Sequence, residues 1–173
     1  MPAQLTLVLG GIASGKSAFA EGLVRQSGKP RIYLATAQAF DAEMQAKIAR
    51  HRDDRGAGWQ TVEEPLAVAR YLQNAPAGHA ILFDCATMWL SNHMLADSNL
   101  DAEEEELLAA LAHCPSDVTV VSNEVGLSGV PENALARRFA NAQGRLNQAI
   151  GARAARVVLV AAGLPVTLKG PAA

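Results

Sequence analysis

Two cysteines in 173 residues, Cys85 and Cys114, are too few for a disulfide framework or a cysteine-type zinc site. Cys85 closes an apolar run and reads as a buried thiol. Basic charge is not in excess either. Lys and Arg number 15 against 17 Asp and Glu, for a formal net charge of -2, so nothing points to nucleic acid. No apolar run reaches the length of a membrane span. The first apolar segment follows Met1 so closely that no signal peptide is expected. Internal repeats and low-complexity stretches are lacking. So is the Asn-Lys-x-Asp motif by which regulatory GTPases read guanine: the nearest stretch, Ser122-Asn123-Glu124-Val125, has neither the Lys nor the Asp. These absences leave a soluble, cytoplasmic chain whose scattered arginines are expected to meet the phosphates or carboxylates of small molecules.

What is present begins with composition. Half the residues are hydrophobic and only 18% are charged, which suits one α/β domain over residues 1–173 with a sheet buried on both faces. The chain is organised around Gly10-Gly11-Ile12-Ala13-Ser14-Gly15-Lys16-Ser17, which fits the phosphate-binding pattern G-x-x-x-x-G-K-[ST]. Leu5 to Leu9 before it reads as a buried parallel strand, and Ser17 to Val24 after it as a helix with Phe19, Leu23 and Val24 on one face. Glycines let the backbone turn tightly and present successive N–H groups to phosphate oxygens, and the helix N-terminus adds partial positive charge. Lys16 is then expected on the β- and γ-phosphates and the Ser17 hydroxyl on Mg²⁺. The pattern calls for a bound nucleoside triphosphate.

The rest of the chain alternates strands and helices. Arg31 to Ala35 reads as a strand, with Thr36-Ala37-Gln38 at its carboxyl end, where open α/β sheets place ligand contacts. A helix is expected from Asp41 to about Arg55, ending in Arg50-His51-Arg52-Asp53-Asp54-Arg55 and stopped by Gly56-Ala57-Gly58. A short strand over Trp59 to Glu63 and a helix over Leu66 to Gln73 follow. Ala80 to Asp84 is an apolar strand ending in a carboxylate, the usual partner of a phosphate loop near Mg²⁺. Met88 to Leu95 reads as a short helix. The acidic run Asp101 to Glu106 reads as a helix's first turn and solvated face, because consecutive Glu side chains point in all directions around a helix. Val118 to Ser122 is a buried strand that exits into the Gly-rich loop 123–131, and Asn133 to Ala155 is mostly helical. Val157 to Ala161 is the last long strand, and Leu164 to Leu168 adds an edge strand. This order predicts a P-loop NTPase-type fold: a mostly parallel sheet, helices on both faces, and functional loops after residues 9, 35, 84 and 122.

Fold and loop leave a small-molecule kinase, a nucleotidyltransferase, a regulatory GTPase and an ATPase subunit open. The charged cluster around His51 is the second informative stretch. A neutral imidazole has a nitrogen lone pair able to attack an α-phosphorus, and Arg50, Arg52 and Arg55 would offset the phosphates' charge. The other reading of His51 is a helix-end histidine complementing the helix dipole. His79, His93 and His113 have no such company and read as structural or solvated.

Four stretches together resemble the bifunctional adenosylcobinamide kinase / adenosylcobinamide-phosphate guanylyltransferase family of cobalamin biosynthesis. They are the loop Gly10 to Ser17, Asp41-Ala42-Glu43-Met44 through Ile48-Ala49-Arg50-His51-Arg52, Asp84-Cys85-Ala86-Thr87-Met88-Trp89-Leu90-Ser91-Asn92, and Ser122-Asn123-Glu124-Val125-Gly126 with Val130-Pro131-Glu132-Asn133 and Gly144-Arg145-Leu146-Asn147-Gln148. The resemblance runs from about residue 5 to about residue 170 and is most distinctive in Asn-Glu-Val-Gly…Val-Pro-Glu-Asn. It implies phosphorylation of adenosylcobinamide by ATP or GTP. Transfer of GMP from GTP through His51 to the new phosphate would follow, giving adenosylcobinamide-GDP. By resemblance the GTP contacts fall on Gly10, Gly11, Ile12, Ala13, Ser14, Gly15, Lys16, Ser17, Thr36, Ala37, Gln38, Arg52, Asp53, Asp54, Arg55, Glu63 and Asp84. Homo-oligomers are implied as well. Two departures stand out: Ile12-Ala13 replaces a frequent Ala-Arg, removing one positive side chain, and Arg50-His51 stands where some members carry two histidines. The competing readings are a P-loop kinase for another alcohol, without a nucleotidyl intermediate, and a non-catalytic nucleotide-binding subunit.

Overall fold

Seven strands and five helices are built over residues 3–38 and 56–171, the part of the chain that the computed structural model describes. The helix expected from Asp41 to Arg55 falls outside it. The elements run β1 (Leu5–Gly10), α1 (Lys16–Gln26), β2 (Arg31–Ala35), β3 (Trp59–Glu63), α2 (Val68–Gln73), β4 (Ala80–Asp84), α3 (Ala86–Leu95), α4 (Leu100–His113), β5 (Asp117–Asn123), α5 (Ala134–Arg153), β6 (Arg156–Ala161) and β7 (Leu164–Lys169). A single 3-10 turn, Gly126–Ser128, interrupts the loop between β5 and α5.

The strands form one sheet in the order β3-β2-β4-β5-β1-β6-β7. All neighbours are parallel except β6 and β7, which pair antiparallel across a two-residue turn. Apolar runs without polar alternation predict strands covered on both faces, and the central ones are. Leu7, Val8, Leu34, Leu82, Phe83, Val120 and Val121 are fully inaccessible. Val8, Leu82, Val121 and Val158 pack with Ala20 and Val24 of α1 on one face. Leu7, Phe83, Val120 and Val157 pack on the other with Leu72, Trp89, Leu107, Leu146 and Ile150 from the remaining four helices. Residues one apart on a strand thereby serve different faces, which matters for which side chains reach the site.

Two helix boundaries differ from the sequence expectation, each for a local reason. The helix expected from Leu66 starts at Val68, because Pro65 and Glu64 form a turn in which the Glu64 carboxylate accepts from the N–H groups of Leu66 at 3.4 Å and Ala67 at 2.9 Å. The helix expected from Met88 starts two residues earlier, at Ala86, since Cys85 caps it with Sγ accepting from Met88 N–H at 3.4 Å. The acidic run behaves as anticipated. Asn99 caps α4 by accepting from Ala102 N–H at 3.4 Å, and Asp101 and Glu103 sit in the first turn.

Candidate functional site

Glycine is required twice in the phosphate loop by close approach. A Cβ on Gly10 would strike Ser14 Oγ and lie 2.8 Å from the Val160 carbonyl of β6. Gly15 has φ +90, and a Cβ there would lie 3.1 Å from Gly163 Cα. Ala13 also takes a left-handed φ of 55, so successive backbone amides turn toward one point. The N–H groups of Ala13, Gly15 and Ser17 have no acceptor among the described residues. Lys16 folds over the loop, with Nζ donating to the Gly11 carbonyl at 3.1 Å. The Ser17 hydroxyl is half-buried and makes no bond among the described residues. Empty amides, an ammonium and an unused hydroxyl at a helix N-terminus make a cradle for an anion and a hard cation.

Asp84 comes to the same side of the sheet. Phe83 faces α3, so Asp84 faces α1, where its Oδ2 accepts from the Tyr33 hydroxyl at 2.9 Å. Tyr33 is a residue that sequence reasoning missed. Only its place one position before Leu34 on a strand, on the face shared with Leu82, marks it. Beside Asp84, burial pushes the Cys85 thiol up to about 11, aided by the Asp84 carboxylate, while the Lys16 ammonium pulls the other way. Cys85 is therefore a cap held as a neutral thiol, not a nucleophile. The buried-thiol expectation stands in its chemistry, although the residue is partly accessible.

Thr36 is fully buried, and its Oγ1 is committed on both sides: it donates to the Cys85 carbonyl at 2.8 Å and accepts from the Cys85 N–H at 2.8 Å. Asn92 of α3 donates to the Thr36 carbonyl at 2.8 Å and to the Pro65 carbonyl at 3.0 Å. The ends of β2 and β4 and the exit of β3 are thus tied together, and the side chains left outward at this strand end are Ala37 and Gln38, both half-buried. Glu63 lies beyond them, exposed, at the end of the edge strand and in register with Ala35. With about 4.8 Å between strands, Asp84 stands about 10 Å and Glu63 about 19 Å along the sheet edge from β1. His51, Arg52, Asp53, Asp54 and Arg55 lie outside the described residues.

The end of β5 is held from behind by a second network that sequence reasoning did not reveal. Ser122 Oγ donates to Asn147 Oδ1 at 2.6 Å, and Gln143 Nε2 donates to both, at 2.9 Å each. Asn147 Nδ2 donates to the Asn123 carbonyl at 3.1 Å, and Asn123 N–H donates to Thr87 Oγ1 at 2.8 Å. Both backbone groups of Asn123 are taken, while its side chain, on the α1 face by strand alternation, makes no bond among the described residues. Asn123 is in register with Gly10, and Glu124 N–H donates to the Gly10 carbonyl at 3.0 Å, so this network also fixes where the phosphate loop begins. The loop after β5 is braced by Arg137, whose guanidinium donates to the carbonyls of Pro131, at 3.0 Å, and Glu132.

The remaining histidines are structural or solvated, as expected. His93 is buried, edge-on to Trp89 at 4.7 Å, with Nδ1 near Ser98 Oγ and Nε2 near the Leu66 carbonyl. His79 and His113 bond to nearby backbone carbonyls at the surface. Among the described residues no three His, Cys, Asp or Glu side chains gather as a metal site, and no helix is long and apolar enough to cross a membrane.

Solved structures share this architecture. The RadB recombinase superposes with a TM-score of 0.54 over 91% of this chain and 74% of that one, at 20% identity. The flagellar accessory protein FlaH of Methanocaldococcus jannaschii gives 0.55 over 98% and 80%, at 14% identity. At such identities the likeness concerns the fold alone. Sequence relatives are far nearer. The bifunctional adenosylcobalamin biosynthesis protein CobP of Pseudomonas aeruginosa is 50% identical over 167 residues, covering 95% of this chain and 96% of that protein. The bifunctional adenosylcobalamin biosynthesis protein CobU of Salmonella typhimurium is 38% identical over 183 residues, covering 96% and 100%. Its counterpart in Escherichia coli is 35% identical over 182 residues. Residues 6–168 match the family described as cobinamide kinase / cobinamide phosphate guanyltransferase, a span that takes in the phosphate loop, Asp84 and the Asn123 strand end, and the chain belongs to that family.

Proposed function

We propose that this chain, as one domain, phosphorylates adenosylcobinamide with a nucleoside triphosphate and then guanylylates the product from GTP. The bifunctional kinase and guanylyltransferase activity follows from family membership. The residue assignments are our reading of the site. The observation that carries them is the phosphate cradle itself: three backbone amides without an acceptor among the described residues, Lys16 and the Ser17 hydroxyl, with Asp84 on the same face of the sheet.

In the first reaction, the Gly10 to Ser17 backbone and Lys16 hold the β- and γ-phosphates, and the substrate's hydroxyl oxygen attacks the γ-phosphorus as the bond to the leaving diphosphate breaks. Positioning and charge do most of the work in such transfers, so a rigid cradle suffices. The hard oxygens of Ser17 and Asp84 fit Mg²⁺, which when bound neutralises charge on the phosphates. In the second reaction a nitrogen of His51 attacks the α-phosphorus of GTP, forming an N–P bond as pyrophosphate leaves. An oxygen of adenosylcobinamide phosphate then attacks that phosphorus, the N–P bond breaks, and His51 is restored. Arg52 and Arg55 offset charge near His51. Gln38 and Glu63, far along the sheet edge from the loop, suit the ribose and base rather than the phosphates. We read GTP as the guanylyl donor and GTP or ATP as the phosphoryl donor, in a cytoplasmic homo-oligomer.

The test is incubation with α-labelled GTP and Mg²⁺, with and without adenosylcobinamide. Label on the protein that chases into adenosylcobinamide-GDP on addition of adenosylcobinamide phosphate is the expected result. Product formation with no labelled protein at any time would reject the histidine route. No product with adenosylcobinamide would reject the substrate.

A further inference from the structure

We propose that the turn of the β6–β7 hairpin is a positioning element for the phosphate loop, and that the N–H of Gly163 sets the direction of a phosphate-facing amide. This rests on the reading of the loop as the working nucleotide site. Gly163 N–H donates to the Ser14 carbonyl at 2.8 Å, a bond between residues far apart in sequence. The Ser14 carbonyl and the Gly15 N–H belong to one planar trans peptide, so they point in opposite directions. Holding the carbonyl toward the hairpin therefore turns the Gly15 N–H toward the cradle, where it has no acceptor among the described residues.

The hairpin is shaped for this contact. Ala161 pairs with Leu164, leaving Ala162 and Gly163 as a two-residue turn with φ 51 and 76. In such a primed turn both central residues need positive φ, and the second one's N–H is not used inside the hairpin. It is free to donate outward. The approach is backbone on backbone, since a Cβ on Gly15 would sit 3.1 Å from Gly163 Cα. On the far side the same hairpin limits Gly10 through the Val160 carbonyl. Meanwhile β7 adds little core: Leu164, Val166 and Leu168 are 69%, 50% and 57% exposed. A hairpin whose second strand buries so little, yet whose turn meets the phosphate loop at Ser14 and Gly15, serves the loop more than the core.

The experiment replaces Gly163 with glycolic acid, which turns its amide into an ester, removes the N–H and keeps every side chain. The control replaces Leu164 with leucic acid, which weakens the hairpin's own ladder and leaves Gly163 N–H intact. Each protein is titrated with GDP and Mg²⁺ by calorimetry and melted. Without this bond the free loop can leave its binding orientation, and restoring it on binding costs at most what the bond is worth. The Gly163 ester should therefore lose up to roughly tenfold in GDP affinity, with the Leu164 ester binding as the native protein does. In the native protein, GDP should also slow hydrogen exchange at the Gly163 amide, because coupling between loop and turn is reciprocal. A Gly163 ester that binds GDP within twofold of native, equal losses for both esters, or unchanged exchange at Gly163 would each overturn the proposal. Lys16→Ala serves as the reference for the underlying reading: if GDP affinity ignores that change, the loop is not the nucleotide site, whereas a sensitive Lys16 with an insensitive ester rejects the hairpin's role alone.

Discussion

Asn147→Ala should be costly well beyond its size, because Asn147 joins the helix behind the sheet to the strand beside the phosphate loop. Its carboxamide accepts from Ser122 at 2.6 Å and Gln143 at 2.9 Å and donates to the Asn123 carbonyl at 3.1 Å. After the change, Gln143 keeps its bond to Ser122. The fully buried Ser122 hydroxyl is left with only Thr87 Oγ1, at 3.5 Å, as an acceptor, and the half-buried Asn123 carbonyl loses its side-chain donor. Each orphaned buried group costs about 1–3 kcal/mol. Alanine returns at most about 0.7 kcal/mol in helix propensity. The net is about 3 kcal/mol, which for a chain of this length lowers Tm by about 6–12 °C. Gln143→Met supplies the contrast. Gln143 Oε1 is already buried without a partner among the described residues, so removing this carboxamide loses two bonds from one donor group, leaves Ser122 and Asn147 still bonded to each other, and relieves one unsatisfied acceptor. Its loss should be under about 1.5 kcal/mol, a fall in Tm of at most about 3–6 °C. Thermal melts of the two variants, followed by circular dichroism, decide the matter. An Asn147→Ala protein that melts within 2 °C of native, or below which Gln143→Met falls, would refute the reasoning.

Four further outcomes are expected. Lys16→Ala should lower the rates of both half-reactions by several orders of magnitude, measured by product formation from GTP, because both need the triphosphate clamped. Asp84→Asn should shift the Mg²⁺ concentration for half-maximal rate far more than it shifts nucleotide affinity, if, as proposed, this carboxylate about two strands from the loop addresses the metal or its waters. His51→Ala should abolish protein labelling from α-labelled GTP and formation of adenosylcobinamide-GDP, while phosphorylation of adenosylcobinamide persists; the native adduct should be acid-labile and base-stable, as a phosphoramidate is. Lastly, burial raises the Asp117 carboxyl, but its bonds to Lys29 at 2.6 Å and to Gln4 N–H at 2.9 Å outweigh this and hold it below the usual range. A depressed folded value means stability that is present above the unfolded pKa of about 3.9 and fades as pH falls through the folded one. Asp117→Asn should therefore flatten the acid limb of a Tm-against-pH curve below about pH 4 and leave nucleotide binding unchanged.

The sequence by itself determined the parts of this protein whose physics is local. A glycine-rich turn between an apolar strand and a helix can be recognised from its letters, because each letter states a backbone freedom or a side-chain chemistry at that spot. Continuous apolar runs announced strands covered on both faces, and the acidic run from Asp101 and the stretch from Asn133 announced helices, because burial, charge near a helix end and capping act within a few residues. The resemblance in Asn123-Glu124-Val125-Gly126 reached the family. What tertiary structure alone decided is everything that depends on which distant segments meet. Strand periodicity says that a strand exists and which residues share a face. It carries no information about which strand lies beside it. The order placing β5 between β1 and β4 therefore appeared only in the fold, and with it the place of Asp84 two strands from the loop. The Tyr33 hydroxyl on Asp84, the Asn147 carboxamide on Asn123 and the Gly163 amide on Ser14 each span a long stretch of chain. Such contacts are set by the packing of helices across a finished sheet, and no run of neighbouring residues encodes them.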